Sequence, residues 1–246
     1  MDEAMSAEEL ATTPLPADTV GLLDGLTSTR AIRRYRDEPV PADALRTIMF
    51  AATRAPSGSN RQPFRFIVLT DGPNAAAAKS LISEGAQQMW GFKRQNDGYD
   101  GGSGAQADSP KARMAATMQR YVEDIASVPV LILPCLVRYR AANELEGASI
   151  YPACQNLLLA ARAIGYGGVL TGWHSVVEAE LRALLAIPAE VLIAAAITLG
   201  KPQGHHGPVR RRPMDELIYE ESWARPASFA VDPPGTRFTS AGPPKR

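Results

Sequence analysis

Apolar positions along the chain follow two rhythms, a helical spacing of three and four and short unbroken runs. Val20, Leu22, Leu23 and Leu26 predict a short amphipathic helix capped by Asp18 or Thr19. Pro39-Val40-Pro41 breaks the chain, and Asp43 or Ala42 opens a second helix with Leu45, Ile48, Met49 and Ala52 on one face. A first β-run covers Phe66 to Leu69. Residues 74–94 read as a helix whose larger apolar groups are Leu81, Ile82, Met89 and Trp90, and another runs from about Pro110 to Ile125. Between them, 95–108 is glycine-rich, polar and aperiodic, which predicts a mobile loop or lid. The apolar run from Pro129 predicts a buried strand bounded by prolines. Residues 148–164 form the clearest helix, with Pro152 near its first turn and Gly165 as its stop. A short strand and tight turn at 167–173, an amphipathic helix at 176–187 and a central strand at 191–199 complete the pattern. Helices and strands without strict βαβ alternation predict an α+β fold.

Residues 1–17 carry few large apolar groups and read as a loose arm. Residues 18–218 read as one domain, and 219–246 as a C-terminal arm in which Trp223, Phe229 and Phe238 stand among prolines. Such aromatics cannot build a core of their own, so the arm is expected to wrap a second subunit. The chain has 246 residues, 45% hydrophobic, enough for a substantial core. Lys+Arg and Asp+Glu are equal at 26 each, so overall charge points to neither nucleic acid nor a membrane. Cys135 and Cys154 fit no zinc or redox spacing and are expected as reduced core residues. No stretch approaches a membrane span, and the acidic N-terminus lacks a secretory apolar core. The expected setting is cytoplasmic.

Several patterns fail their context tests. Gly102-Ser103-Gly104-Ala105-Gln106-Ala107 has the letters of a dinucleotide loop but no preceding strand. His205-His206 lack a third metal ligand at useful spacing, and His174 has no nucleophile beside it. No nucleophile elbow occurs. With acid–base and nucleophilic groups so sparse, an enzyme here would draw its chemistry from a cofactor, and no metal site is expected.

Segments that suit a flat, anionic cofactor recur along the chain. In Thr29-Arg30-Ala31-Ile32-Arg33-Arg34-Tyr35, Arg30 and Arg33 would share one side of a helical turn and grip a phosphate. The 56–63 loop packs Pro56, Ser57, Gly58, Asn60, Gln62 and Pro63 into one helix-to-strand connection that can bring bare N–H groups close to a ligand. Gly167 to Trp173 places glycines and Thr171 at a strand end. Arg210-Arg211-Arg212-Pro213 supplies a further anion clamp.

In that order these segments resemble the nitroreductase superfamily of FMN flavoproteins, over about Leu22 to Ile218. Arg30, Arg33 and Tyr35 match the family pattern, with Thr29 and Ala31 departing from it. Ala55 to Phe64 matches A-P-S-x-x-N-x-Q-P-[WF] throughout. The resemblance implies a nitroreductase-like α+β fold, with a central mostly antiparallel sheet flanked by helices, in an intertwined homodimer with FMN at the subunit interface. It implies FMN contacts from Arg30, Ala31, Arg33, Pro56, Ser57, Gly58, Asn60, Gln62, Leu170, Thr171, Gly172, Arg210 and Arg211. Arg211 would face the phosphate, and the Leu170–Gly172 turn, including a hydroxyl donor at Thr171, would lie near flavin N5. It implies NADH or NADPH as reductant and a small electron-poor acceptor, such as a nitroaromatic or quinone, with the flavin carrying the chemistry. A lid at about 84–121 would offer Trp90, Phe92 and Tyr99 for stacking on the substrate. Alternatives are an FMN- or ligand-binding accessory protein with little turnover, and a variant specialised for dehalogenation or dehydrogenation.

Overall fold

Strand β2 (Val130–Val137) is the axis of the fold, and alternate side chains along it feed two separate cores. In the computed structural model, which describes residues 5–239, Leu131, Leu133 and Cys135 join Ile82, Trp90, Tyr121 and Leu181 on one face. Val130, Ile132 and Leu136 join Ile48, Cys154 and Leu157 on the other. The first face is covered by α4 (Pro73–Asn96), α5 (Pro110–Asp124) and α7 (Glu178–Leu185), the second by α3 (Ala42–Ala52) and α6 (Tyr151–Ala163). A strand buried on both faces has no polar alternation, which is why 130–136 reads as a continuous apolar run.

The sheet order is β1 (Phe64–Leu69), β2, β5 (Ala196–Gly200), β3 (Gly167–Thr171), with β4 (Val191–Ile193) also on β2. All strand pairs are antiparallel, so the architecture is α+β as the sequence predicts. The apolar run at 191–199 is not one strand. Cys135 opposes Ile193 while Ile132 opposes Ile197, so the β4–β5 side carries one residue more than β2. The extra residue is a bulge opposite Pro134, which accepts from the Ala194 N–H at 2.8 Å but has no N–H to return.

Helix limits move for identifiable reasons. The first predicted helix is α2 (Leu22–Ser28), and its N-cap is Gly21. Thr19 instead donates its N–H and hydroxyl to the Ala163 carbonyl at the end of α6 (2.8 and 2.6 Å). The N-terminal arm contains a helix, α1 (Ala7–Thr12), started by a Ser6–Glu9 capping box; Met1–Ala4 of that arm lie outside the described residues. The 95–108 segment makes polar contacts with residues flanking both its ends: Arg94 forms a bidentate pair with Asp100, and Lys111 donates to the Asp97 carbonyl at 2.9 Å. The C-terminal arm runs over the surface with Trp223 87% exposed, and 240–246 lie outside the described residues. No helix among the described residues is long and apolar enough to cross a membrane.

Two details set the sheet's tolerances. The buried Lys79 ammonium donates to the Thr70 and Pro129 carbonyls (2.6 and 3.2 Å), and burial pushes its pKa down. Gly168 of β3 lets the strands approach: a Cβ there would stand 2.5 Å from the Thr198 carbonyl oxygen. Gly168→Ala is therefore expected to cost about 1–3 kcal/mol by overpacking. Urea denaturation with an unchanged slope and a lower midpoint is the expected result; an unchanged midpoint would show that the strands yield freely.

Candidate functional site

The segment after α2 is extended rather than helical. Thr29 is the C-cap, and the chain then runs along the open edge of β3, where the Ile32 N–H donates to the Gly168 carbonyl at 3.0 Å. Arg30 and Arg33 therefore do not share a helical turn, yet both line one cavity of about 690 Å³ with Ala31, Arg34 and Arg210. Helix α5 supplies the opposite wall through Pro110, Arg113, Met114 and Thr117, and Gly204 and His205 lie at its margin. No acidic residue among those described lines this cavity. Among the described residues, none of its five arginines has a carboxylate partner. Five unpaired guanidinium groups around one hollow form an anion site, since each retains donors for phosphate or carboxylate oxygens.

A buried hydroxyl chain holds this array in place. The Tyr35 hydroxyl lies 2.7 Å from the Ile32 carbonyl and 2.8 Å from the Thr198 hydroxyl, which lies 2.7 Å from the Tyr121 hydroxyl. Burial raises the pKa of both phenols, so they remain neutral. His206 packs against the N-terminal end of β3, its Nε2 3.1 Å from the Tyr166 carbonyl.

The other predicted contacts occupy different places. Arg211 turns away from the cavity, donating to the Arg210 carbonyl at 2.9 Å while its own carbonyl accepts from Thr239 at 3.1 Å. Arg210 is thus the arginine of this run that faces the cavity. Leu170, Thr171 and Gly172 stand at the far end of β3, with open space where a Gly172 Cβ would lie. The Thr171 hydroxyl donates to the Ala196 carbonyl at 3.1 Å, so the donor expected for a flavin is engaged with the backbone. Trp90 is buried, its indole N–H bonded to Gln119 at 2.9 Å and its ring 5.1 Å from that of Tyr99. Trp90 and Tyr99 thus pack on each other, while Phe92 is exposed.

The 56–63 loop lies at the opposite end of the sheet from the arginines. Phe64 follows it and opposes Leu136, and the Val137 N–H donates to Pro63, whereas Ile32 and Tyr35 meet Gly168 and Pro202. Ser59, Asn60 and Gln62 all have positive φ, 52, 51 and 50°, unusual for residues with side chains. The Ser57 hydroxyl accepts from the Gln62 N–H at 2.9 Å and the Ser149 hydroxyl from the Gly58 N–H at 3.2 Å, while Asn60 and Gln62 remain exposed. Pattern reading of the sequence missed Arg113, although Pro110, Arg113, Met114 and Thr117 are spaced i, i+3, i+4, i+7, the signature of one helix face.

A family model described as Nitroreductase family matches residues 26–201. The chain is 29% identical over 223 residues, 81% of its length and 97% of the relative's, to an NADH dehydrogenase of Thermus thermophilus. It is 29% identical over 187 residues, 72% of its length and 80% of the relative's, to a 5,6-dimethylbenzimidazole synthase of Rhodospirillum rubrum. Among solved structures it resembles a nitroreductase from Desulfovibrio desulfuricans in complex with FMN, at 31% identity and a TM-score of 0.60, covering 82% of this chain and 96% of that one.

Burial holds the His174 imidazole below its ordinary 6.5, against a backbone hydrogen bond at Ile193 and the nearby Glu178. The His206 pKa is lowered chiefly by burial, with Arg162 and Arg30 adding repulsion. The unfolded imidazoles take protons more readily, so stability falls as pH drops below about 6.5. The urea midpoint is expected to decline from about pH 7 to about 5.5, and less steeply in His174→Gln; parallel profiles would remove His174 from that account.

Proposed function

The chain belongs to the nitroreductase family, and on that premise we propose that it is an FMN-dependent NAD(P)H oxidoreductase acting on small electron-poor acceptors. The observation that carries the reading is the acid-free cavity ringed by unpaired arginines, which suits a phosphate monoester and nothing cationic. The residues present fit FMN. Arg30, Arg33 and Arg210 would hold its phosphate, and the Leu170–Gly172 end of β3 would face its ring. When bound, FMN supplies hydride transfer from NADH or NADPH to an acceptor such as a nitroaromatic or a quinone. The protein's part is to bind, orient and exclude water; the sparse acid–base residues agree with that division.

A homodimer completes this reading. The 56–63 loop and the arginine cavity lie at opposite ends of one chain, so Pro56, Ser57, Gly58, Asn60 and Gln62 would reach a flavin held by a second copy. Exposed Leu22, Leu23 and Leu26 on α2 and Phe50 on α3 offer an apolar surface for that contact, beside a hollow of about 270 Å³ lined by Val20, Gly25, Ala51 and Leu159. The C-terminal arm, with Trp223, Phe229 and Phe238 exposed, is suited to wrapping the second copy. A reducing, cytoplasmic setting fits two buried free thiols on opposite faces of the sheet.

The decisive test is the visible spectrum of the purified protein before and after NADH or NADPH without oxygen. Flavin absorbance that bleaches is expected; flavin that persists would leave a binding role, and protein that takes up no FMN would end the cofactor assignment. Arg30→Ala and Arg210→Ala should each weaken FMN binding about tenfold or more, from lost charge-assisted hydrogen bonds. Unchanged affinities in a fluorescence titration would put the phosphate elsewhere. Leu23→Glu should shift the protein from dimer to monomer in light scattering and lower its flavin content with it. A dimer that persists with full flavin would move the interface off α2.

A further inference from the structure

The cavity carries more positive charge than one flavin phosphate accounts for. With Arg30, Arg33 and Arg210 given to that phosphate, Arg34 and Arg113 remain, on different elements and without carboxylate partners among the described residues. Among the described residues the Arg113 side chain donates to the Asp108 carbonyl alone, which leaves most of its fork free. Arg34 lies beside Gly204, which lines the same hollow. At about 690 Å³ the hollow has room for a ligand of nucleotide size. Arg33 and Arg34 also border a second cavity of about 260 Å³, but Asp37 and Asp124 line that one and would repel an anion. A further dianion therefore belongs on the α5 side, between Arg34 and Arg113.

We propose that Arg34 and Arg113 form a second phosphate subsite that takes the ribose 2′-phosphate of NADPH, making this protein selective for NADPH over NADH. The inference rests on the flavin reading, because a reductant must reach the cavity that holds the flavin phosphate. A 2′-phosphate is the one group that separates the two coenzymes, and it is a compact dianion that two guanidinium forks lining one hollow match. Helix α5 carries Arg113 with Met114 and Thr117 on the same face, so the subsite wall is a regular helix rather than a loop.

The test is calorimetric titration of the FMN-loaded protein with 2′,5′-ADP and with 5′-AMP, which differ by the phosphate in question. The wild type is expected to hold 2′,5′-ADP about tenfold or more tightly than 5′-AMP, as charge-assisted hydrogen bonds of ordinary strength require. The double variant Arg34→Gln, Arg113→Gln should bring that ratio close to one while keeping its flavin absorbance. Equal affinities in the wild type, or a preference that survives in the variant, would overturn the subsite. Loss of flavin in the variant would also overturn it, by assigning both arginines to the FMN phosphate. Protein that binds no FMN yet keeps the preference would uphold the subsite and remove the flavin reading instead.

Discussion

The Thr198 hydroxyl, buried on the central strand β5, is the point from which the arginine end of the molecule is suspended. One run of donors can satisfy every hydroxyl there: with Tyr35 donating to the Ile32 carbonyl, Thr198 can donate to Tyr35 and Tyr121 to Thr198. An unmade bond in so buried a chain costs about 1–3 kcal/mol, so the arrangement is held firmly. It joins three elements, the 29–35 segment, β5 and α5, which are also the elements that carry Arg30, Arg33, Arg34 and Arg113 or support them. Like charges gathered in this way repel, and a flexible segment would let them separate. The attractive network buried behind them keeps the repulsive array in front convergent, which is what an anion site needs before its ligand arrives.

How much of this is legible in the sequence depends on whether the cause is local. Ile150, Cys154, Leu157 and Ala161 are spaced for a helix because α6 buries one face, and the structure places all four in the core. The 191–199 run could not reveal its bulge, because the cause is Pro134 on another strand. Arg30 and Arg33 were readable by type as a pair of cations for one site, but the helical turn inferred from their spacing gives way to an extended segment. That geometry is fixed by Gly168, which is 136 positions from Ile32 along the chain and accepts its N–H. The choice of Arg210 over Arg211 turns on which neighbour is held by the returning tail at Thr239, again a distant contact. The Ser6–Glu9 capping box, in contrast, is wholly local and was available to a closer reading.

Three features of the single chain are unfavourable where they stand. The five arginines line one hollow, and among the described residues none has a carboxylate partner. The 56–63 loop holds three side-chain-bearing residues at positive φ with no core contact in return. Helix α2 turns Leu22 and Leu23 outward, with Leu23 77% exposed. On the proposed reading, a dianionic ligand would offset the first and a second copy of the chain would cover the third. The second would be met by the ligand and the second copy together, with the loop at the opposite sheet end from the arginines. The proposed arrangement, two chains sharing two anionic flavins, would relieve all three. Ligand affinity and association are then linked quantities, since anything that binds only the assembled pair also stabilises the pair.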